Sequence, residues 1–288
     1  MTTEKEKSKQ AQAQAVEQPS LLDEIVQATK LSPKDETYTL ARKGVEAFIS
    51  QLLEPGREGL KVSGALIDDM VSEIDKKLSL QLDAILHNEA YQKIESAWRS
   101  LKYLVDKTDF RENVRIEVLN VTKENLLEDF EDAPEIVKSG LYKIAYTAEY
   151  GQFGGQPYGS MIGNYEFGPG PQDVKLLQYV ASVAAMAHAP FVASAGPAFF
   201  GLTDFNNLPN LKDVKSIFES PQYTKWRAFR ETEDARCVAL AMPRFLLRLP
   251  YGPDTLPVKS FKYQEDVSQS HTDYSWGNAA FAFASRLA

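Results

Sequence analysis

Beyond the central helix of this chain the period of the apolar residues changes to two, and that change constrains the fold more than any other feature. In Asn88–Phe110, NEAYQKIESAWRSLKYLVDKTDF, the residues Tyr91, Ile94, Trp98, Leu101 and Val105 recur at steps of three and four. This spacing predicts a helix with one continuous apolar face, centred on Trp98, and an ordinary core helix as its use. After Asn113 the period drops to two. Val114, Ile116 and Val118 alternate with Arg115 and Glu117, which predicts a half-buried strand running to Val121. Helices thus precede the switch and an α/β region follows it.

The upstream half supports this reading. Residues 1–19 are rich in Gln, Ala, Lys and Glu without periodicity and are expected to be disordered. Ser20-Leu-Leu-Asp23 has the form of a capping box, opening a short amphipathic helix over residues 20–33 whose apolar face is Leu21, Leu22, Ile25 and Val26. So short a helix is marginal alone in water, so it either docks on the body or is held by another protein. A second helix is expected from Glu36 to Leu53 and a third from Ser63 to His87. In the third, Leu66, Ile67, Met70, Val71, Ile74, Leu78, Leu82 and Ile85 keep close to a seven-residue rhythm, which suits a helical hairpin or a coiled coil with a partner chain.

Downstream, Thr122–Phe130 and Pro134–Tyr150 read as helices, Met161–Phe167 as a strand, and the alanine-rich Val174–His188 as a buried helix. Phe191–Ala195 and Cys237–Met242 are short continuous apolar runs, as buried parallel strands are. Helical stretches at Val214–Phe218 and Tyr223–Phe229 lie between them. The expectation is a mixed α/β fold: residues 34–110 a helical N-terminal region, residues 111–288 an α/β domain. The final segment, from Trp276 to Ala288, is apolar and helix-prone with no evident cap, which predicts that the chain ends inside a domain.

Chemistry is hard to find in this chain. Gly168-Pro-Gly-Pro171 before a helix invites a phosphate-loop reading, but Pro169 and Pro171 each remove a backbone N–H that such a cradle needs. The histidines, His87, His188 and His271, lack His or Cys neighbours at metal spacing, and His188 reads as a hydrogen-bonded core residue. The single cysteine, Cys237, excludes an intrachain disulfide framework. A net charge of −8 gives no attraction to nucleic acid or anionic lipid. No apolar stretch is long enough to span a bilayer and the N-terminus lacks the form of a signal peptide, so a cytoplasmic location is expected. No catalytic residue, metal site or cofactor is expected. The densest polar cluster holds Arg227, Arg230, Glu231, Glu233, Asp234 and Arg236 beside Trp226 and Phe229, a composition common at subunit interfaces. Arg227 with Glu231 and Arg230 with Asp234 stand four apart and could pair on one helix face. Pro243–Gly252 adds Arg244 and Arg248 on an apolar, helix-like segment.

Six ordered motifs carry a resemblance: ILHNEAYQKIESAWRSLKYLV, IGNYEFGPGPQDVKLL, AAMAHAPFVASA, YTKWRAFRETEDAR, MPRFLLRLPYG and YSWGNAAFAFA. Together they resemble the large subunit of the type VI secretion contractile sheath (TssC, also VipB or EvpB), from Ser20 to the end of the chain. The resemblance implies a structural protein, not an enzyme, that pairs with a small subunit (TssB or VipA type). It also implies polymerisation with further copies of itself around an Hcp inner tube, and contraction that propels the tube. Baseplate components and a ClpV-type AAA+ ATPase are the other implied partners. The segment Leu21, Leu22, Asp23, Ile25 and Val26 is similar to the family's ATPase-recognised helix. Ile67, Met70, Val71, Ile74 and Leu78 are expected to contact the small subunit in part, and the Arg227–Arg236 cluster a neighbouring subunit. Two readings from other classes stay open: a soluble adaptor that never polymerises, and an α/β enzyme with its site around Arg230–Arg236.

Overall fold

A computed structural model describes residues 38–39, 43–47 and 64–288. It divides into two units, residues 1–71 and 72–288. In the first, residues 38–39 and 43–47 are helical, inside the expected second helix. The leader and the helix expected over residues 20–33, with Leu21, Leu22, Asp23, Ile25 and Val26, lie outside the described residues. Helix α1 (Gly64–Leu86) begins in the first unit and ends in the second.

Helix α2 (Glu89–Lys107) starts where the Asn88 side chain accepts hydrogen bonds from the Ala90 and Tyr91 N–H groups. Its packing inverts the expectation from periodicity. Trp98 is 69% exposed and Ile94 59%, and Tyr91 and Val105 are exposed too. The buried positions are Glu95, Ser100 and Leu104. Gln92 Nε2 donates to the Thr272 carbonyl at 3.0 Å and Ser96 Oγ to the Trp276 carbonyl at 2.7 Å. The face carrying Gln92, Glu95, Ser96 and Arg99 is therefore turned inward, where those groups find partners beside Leu104 and the half-buried Leu101, while Tyr91, Ile94, Trp98 and Val105 of the apolar stripe are left facing out.

The period-two stretch also departs from expectation. After a 3₁₀ turn at Phe110–Glu112 and a left-handed Asn113, residues 114–121 run without joining a sheet. Residues 114–120 make no backbone–backbone hydrogen bond among the described residues. Ile116 does pack inward, against Leu104 and Phe281, so the inner face of the alternation is real. What is missing is a neighbouring strand, which sequence alternation cannot supply.

Helix α3 (Lys123–Asp132) is capped by Thr122, whose hydroxyl accepts from the Asn125 N–H. The segment expected as one helix from Pro134 is broken: a 3₁₀ turn, Ile136–Lys138, precedes helix α4 over residues 140–150, whose middle, Lys143–Thr147, is wound as a π-helix. Asp129 explains the break. Its carboxylate accepts from the Gly140 N–H at 2.7 and 2.9 Å and from that of Leu141, drawing the start of α4 onto α3.

The centre is a parallel three-stranded sheet in the order β1 (Met161–Phe167), β2 (Phe191–Ala195), β3 (Val238–Ala241). Its parallel connections are crossovers carrying helix α5 (Pro171–Ala187) and the short helices α6 (Val214–Glu219) and α7 (Thr224–Arg230). Strand β2 is buried at every position, as its unbroken apolar run predicts. Phe167, Phe191 and Ala193 join one core cluster with Leu177, Val180, Val183 and Ala184 of α5. Ile162 points the other way, into a cluster with Leu104, Phe281 and Ala284. One face is thus covered by α5 and the other by α2 and helix α8 (Ala279–Leu287). Glycine is required at Gly163, where an added Cβ would sit 2.5 Å from the Phe191 ring.

Three further expectations are corrected. Residues 243–252 are not helical: Phe245–Leu246 forms β4, antiparallel to β5 (Trp276–Gly277). The proline at each end and the ribbon pairing outweigh the apolar run. The terminal helix α8 is capped after all, since the Asn278 side chain accepts from the Ala280 N–H at 2.8 Å, and its alanine face finds its partner on the sheet and α2. His188 is an exposed left-handed cap of α5 (φ 52°), not a core residue.

Burial separates two kinds of apolar residue, and denaturation should show it. Leu177→Ala, at a fully buried site, is expected to cost about 2–5 kcal/mol in urea unfolding. Trp98→Ala should change stability by no more than about 0.5 kcal/mol despite deleting the larger side chain.

Candidate interaction surfaces

Among the described residues no group of three or more His, Cys, Asp or Glu side chains is placed to hold a metal ion. No helix among them is long and apolar enough to cross a membrane. What they do present is a set of surfaces, fixed in place by a buried charge network.

Arg248 is the hub of that network. Its guanidinium donates through Nε to Glu95 Oε1 at 2.8 Å and through Nη1 to Glu265 Oε2 at 2.6 Å, with all three side chains buried. Arg99 completes the Glu95 carboxylate at 2.6 Å and reaches the Tyr251 hydroxyl at 3.1 Å. The Tyr251 ring lies under Arg248, 4.5 Å from its guanidinium carbon. His87 Nε2 stands 3.5 Å from Glu265, and the Tyr263 hydroxyl donates to Asp83 at 2.6 Å. Burial alone would raise the Glu95 carboxyl, but hydrogen bonds from Arg248 and Arg99 outweigh it and hold the group below its ordinary value. Burial alone would lower Arg248; the hydrogen bonds to Glu265 and Glu95 prevail and raise it. Burial, then the bond to Asp83, pushes the Tyr263 phenol up. The result is a clasp between the end of α1, the inner face of α2 and residues 248–265. Sequence reasoning noted Arg248 but not its partners, which lie 153 and 17 residues away.

On the outer side of this clasp lies the apolar stripe of α2, and α1 carries a second one. Of the candidate partner-contact residues, Val71, Ile74 and Leu78 are exposed and Met70 is buried; the side chain of Ile67 is outside the described residues. Ile85 continues the exposed series. Contiguous exposed apolar seams of this kind are candidate contact surfaces.

The charged cluster takes a shape that periodicity did not predict. Helix α7 ends at Arg230, and Glu233–Cys237 forms a separate 3₁₀ turn. The expected Arg227–Glu231 and Arg230–Asp234 pairs therefore do not form, because the positions no longer share a helix face. Arg227 instead donates to the Glu219 carbonyl at 2.8 Å, and Asp234 accepts from Ser182 at 2.8 Å. Arg230 and Arg236, both exposed, have no ion-pair partner among the described residues. They flank a cleft of about 400 Å³ floored by Trp226, Val238 and Leu240. Glu231 and Glu233 stay exposed nearby.

Two outcomes test the clasp. Arg248→Met leaves two buried carboxylates without their shared cation and is expected to destabilise the fold by about 3–5 kcal/mol in urea unfolding. Because the folded value of Glu95 is depressed, its contribution is complete above the ordinary value of 4.5 and disappears as pH falls through the lower folded value. The stability gap between wild type and Glu95→Gln should therefore be widest near neutrality and narrow in acid.

Comparison with known proteins places these surfaces in context. Residues 68–288 match the VipB family, described as EvpB/VC_A0108, tail sheath N-terminal domain. Over 262 residues the chain is 39% identical to the type VI secretion system sheath protein TssC1 of Pseudomonas aeruginosa, an alignment covering 88% of this chain and 52% of the relative. The chain thus spans about half the length of the relative it matches. With the family match extending over both helical stripes, the sheet and the Arg248 clasp, the chain belongs to the VipB family of tail sheath N-terminal domains.

Proposed function

We propose that this chain serves as a structural large subunit of a type VI secretion contractile sheath, in the cytoplasm, with no catalytic role. The observation that carries the reading is the inversion of α2. A helix that spends its polar face on internal partners and leaves Tyr91, Ile94, Trp98 and Val105 exposed is completed by another chain rather than by its own core. The seam of α1, with Val71, Ile74 and Leu78 exposed, suits a helix from the small sheath subunit. The unpaired arginines of the charged cluster suit contacts between copies of the large subunit. The sheath name of the TssC1 relative supports the same reading.

On this reading the heterodimers polymerise around an inner tube of the Hcp type, dock on baseplate components and contract to drive the tube outward. The helix expected at residues 20–33 then serves a ClpV-type ATPase, with Leu21, Leu22, Ile25 and Val26 as the inserted face and Asp23 closing the capping box. A peptide of residues 18–33 should bind such an ATPase, and Leu22→Asp should abolish binding; equal binding by both peptides refutes that assignment.

The central test is co-expression with the candidate small subunit followed by negative-stain electron microscopy. Hollow, ridged tubules are expected. Ile74→Asp, at an exposed position, should leave the unfolding curve within about 0.5 kcal/mol of wild type while abolishing co-purification of the small subunit. Co-purification unaffected by Ile74→Asp and Leu78→Asp together would remove the α1 seam from the interface. No complex and no tubules with the wild-type chain would overturn the sheath reading.

A further inference from the structure

The most exposed large apolar side chain among the described residues is not on either helical stripe. Phe153 is 108% exposed, at the tip of the loop 151–159 that joins α4 to β1. The loop is built to hold it there. Gln156 N–H donates to Glu149 Oε2 at 2.7 Å, Gln152 Nε2 to the Ala148 carbonyl at 2.5 Å, and Gly155 N–H to the Gln152 carbonyl at 3.3 Å. Gly155 is pressed so close to the end of α4 that an added Cβ would lie 1.9 Å from the Glu149 carbonyl oxygen, and Gly154 takes a φ of +83°. Bonds of this kind give the tip a defined shape, yet none of them shelters the ring.

A receptor of matching chemistry sits at the other edge of the sheet. The cleft of about 400 Å³ between α7, the 233–237 turn and β3 has an aromatic and aliphatic floor, Trp226, Val238 and Leu240, and room for a phenyl ring. Its lining includes Arg230 and Arg236, which have no ion-pair partner among the described residues. The loop is charged in the opposite sense: no Lys or Arg occurs between Lys143 and Lys175, while Glu149 lies at its base and Glu117 meets it through the Tyr158 hydroxyl. The loop leads into β1 and the cleft borders β3, which are opposite edges in the order β1-β2-β3. A chain therefore carries the plug and the socket at different edges of its sheet.

We propose that Phe153 of one copy inserts into the Trp226–Val238–Leu240 cleft of a second copy, head to tail, with Arg230 and Arg236 closing on the acidic flank of the incoming loop. Such a contact is heterologous: it leaves a free plug at one end and a free socket at the other, and propagates into an open chain or helix. It rests on the self-assembly part of the sheath reading and names the contact that part leaves unspecified.

Cysteine trapping tests it. In a Cys237→Ser background, Gln156→Cys on the loop and Thr232→Cys on the cleft lining both fall on exposed positions and keep Phe153, Arg230 and Arg236 in place. A chain carrying both should give a ladder of disulfide-linked species on oxidation. A mixture of chains carrying one each should stop at dimers, as a head-to-tail contact requires. Pairing Gln156→Cys with Glu131→Cys, on α3, should give no ladder. In sedimentation of the otherwise wild-type chain, Phe153→Ser and Arg236→Glu should each weaken self-association at least about tenfold, as loss of an interface anchor does. Absence of a ladder above the Glu131→Cys control overturns the proposal. So do tubules with the small subunit that form equally well from Phe153→Ser, and that outcome leaves the sheath reading standing. A ladder from a chain that never forms tubules supports the contact and counts against the sheath.

Discussion

The buried bridge from Glu95 through Arg248 to Glu265 decides how α2 meets residues 248–265. Two carboxylates and a guanidinium inside a protein are tolerable only when each satisfies the others, and Arg99, Tyr251 and backbone groups fill the remaining positions. Tyr251 N–H, for example, donates to Glu265 at 2.9 Å. Because Glu95 lies on α2, satisfying it fixes which face of the helix points inward. The apolar stripe must then point outward. The same bridge that stabilises the subunit creates the surface by which it is proposed to join others.

The sheet extends this logic. Its central strand is covered on both faces, by α5 on one and by α2 and α8 on the other, so its core is self-sufficient. Its margins are different. Residues 114–121 lie extended with no backbone pairing among the described residues, β3 borders an open cleft, and the loop into β1 carries a bare phenyl ring. A closed core with open margins suits a unit that is repeated rather than one that acts alone. The charge pattern agrees, since Arg230 and Arg236 are left without ion-pair partners among the described residues by the end of α7 at Arg230.

Much of the fold was legible from local pattern. The strands at Phe191–Ala195 and Val238–Ala241, their parallel pairing, the buried α5 and the cap at Thr122 follow from apolar runs, alternating elements and a well-placed hydroxyl. Failures came where a residue's fate depends on a distant one. The α2 stripe was expected in the core because periodicity identifies an apolar face without saying what meets it. The strand at 114–121 was expected because alternation describes one edge of a ladder and not its partner. The salt bridges of the charged cluster assumed a helix that ends one turn too soon.

The sequence by itself determined the types of α2, α3, α5 and the three strands of the parallel sheet, the mixed α/β class, the absence of a phosphate-loop motif and, through six ordered motifs, the sheath family. These are properties of spacing and residue identity within short windows, where the backbone period and the capping chemistry act. The tertiary structure alone decided which surfaces are closed and which are open. That choice rests on contacts such as Glu95 with Arg248 and Phe281 with Leu104, whose partners lie more than 150 residues apart, so no local window contains the free energy that sets it.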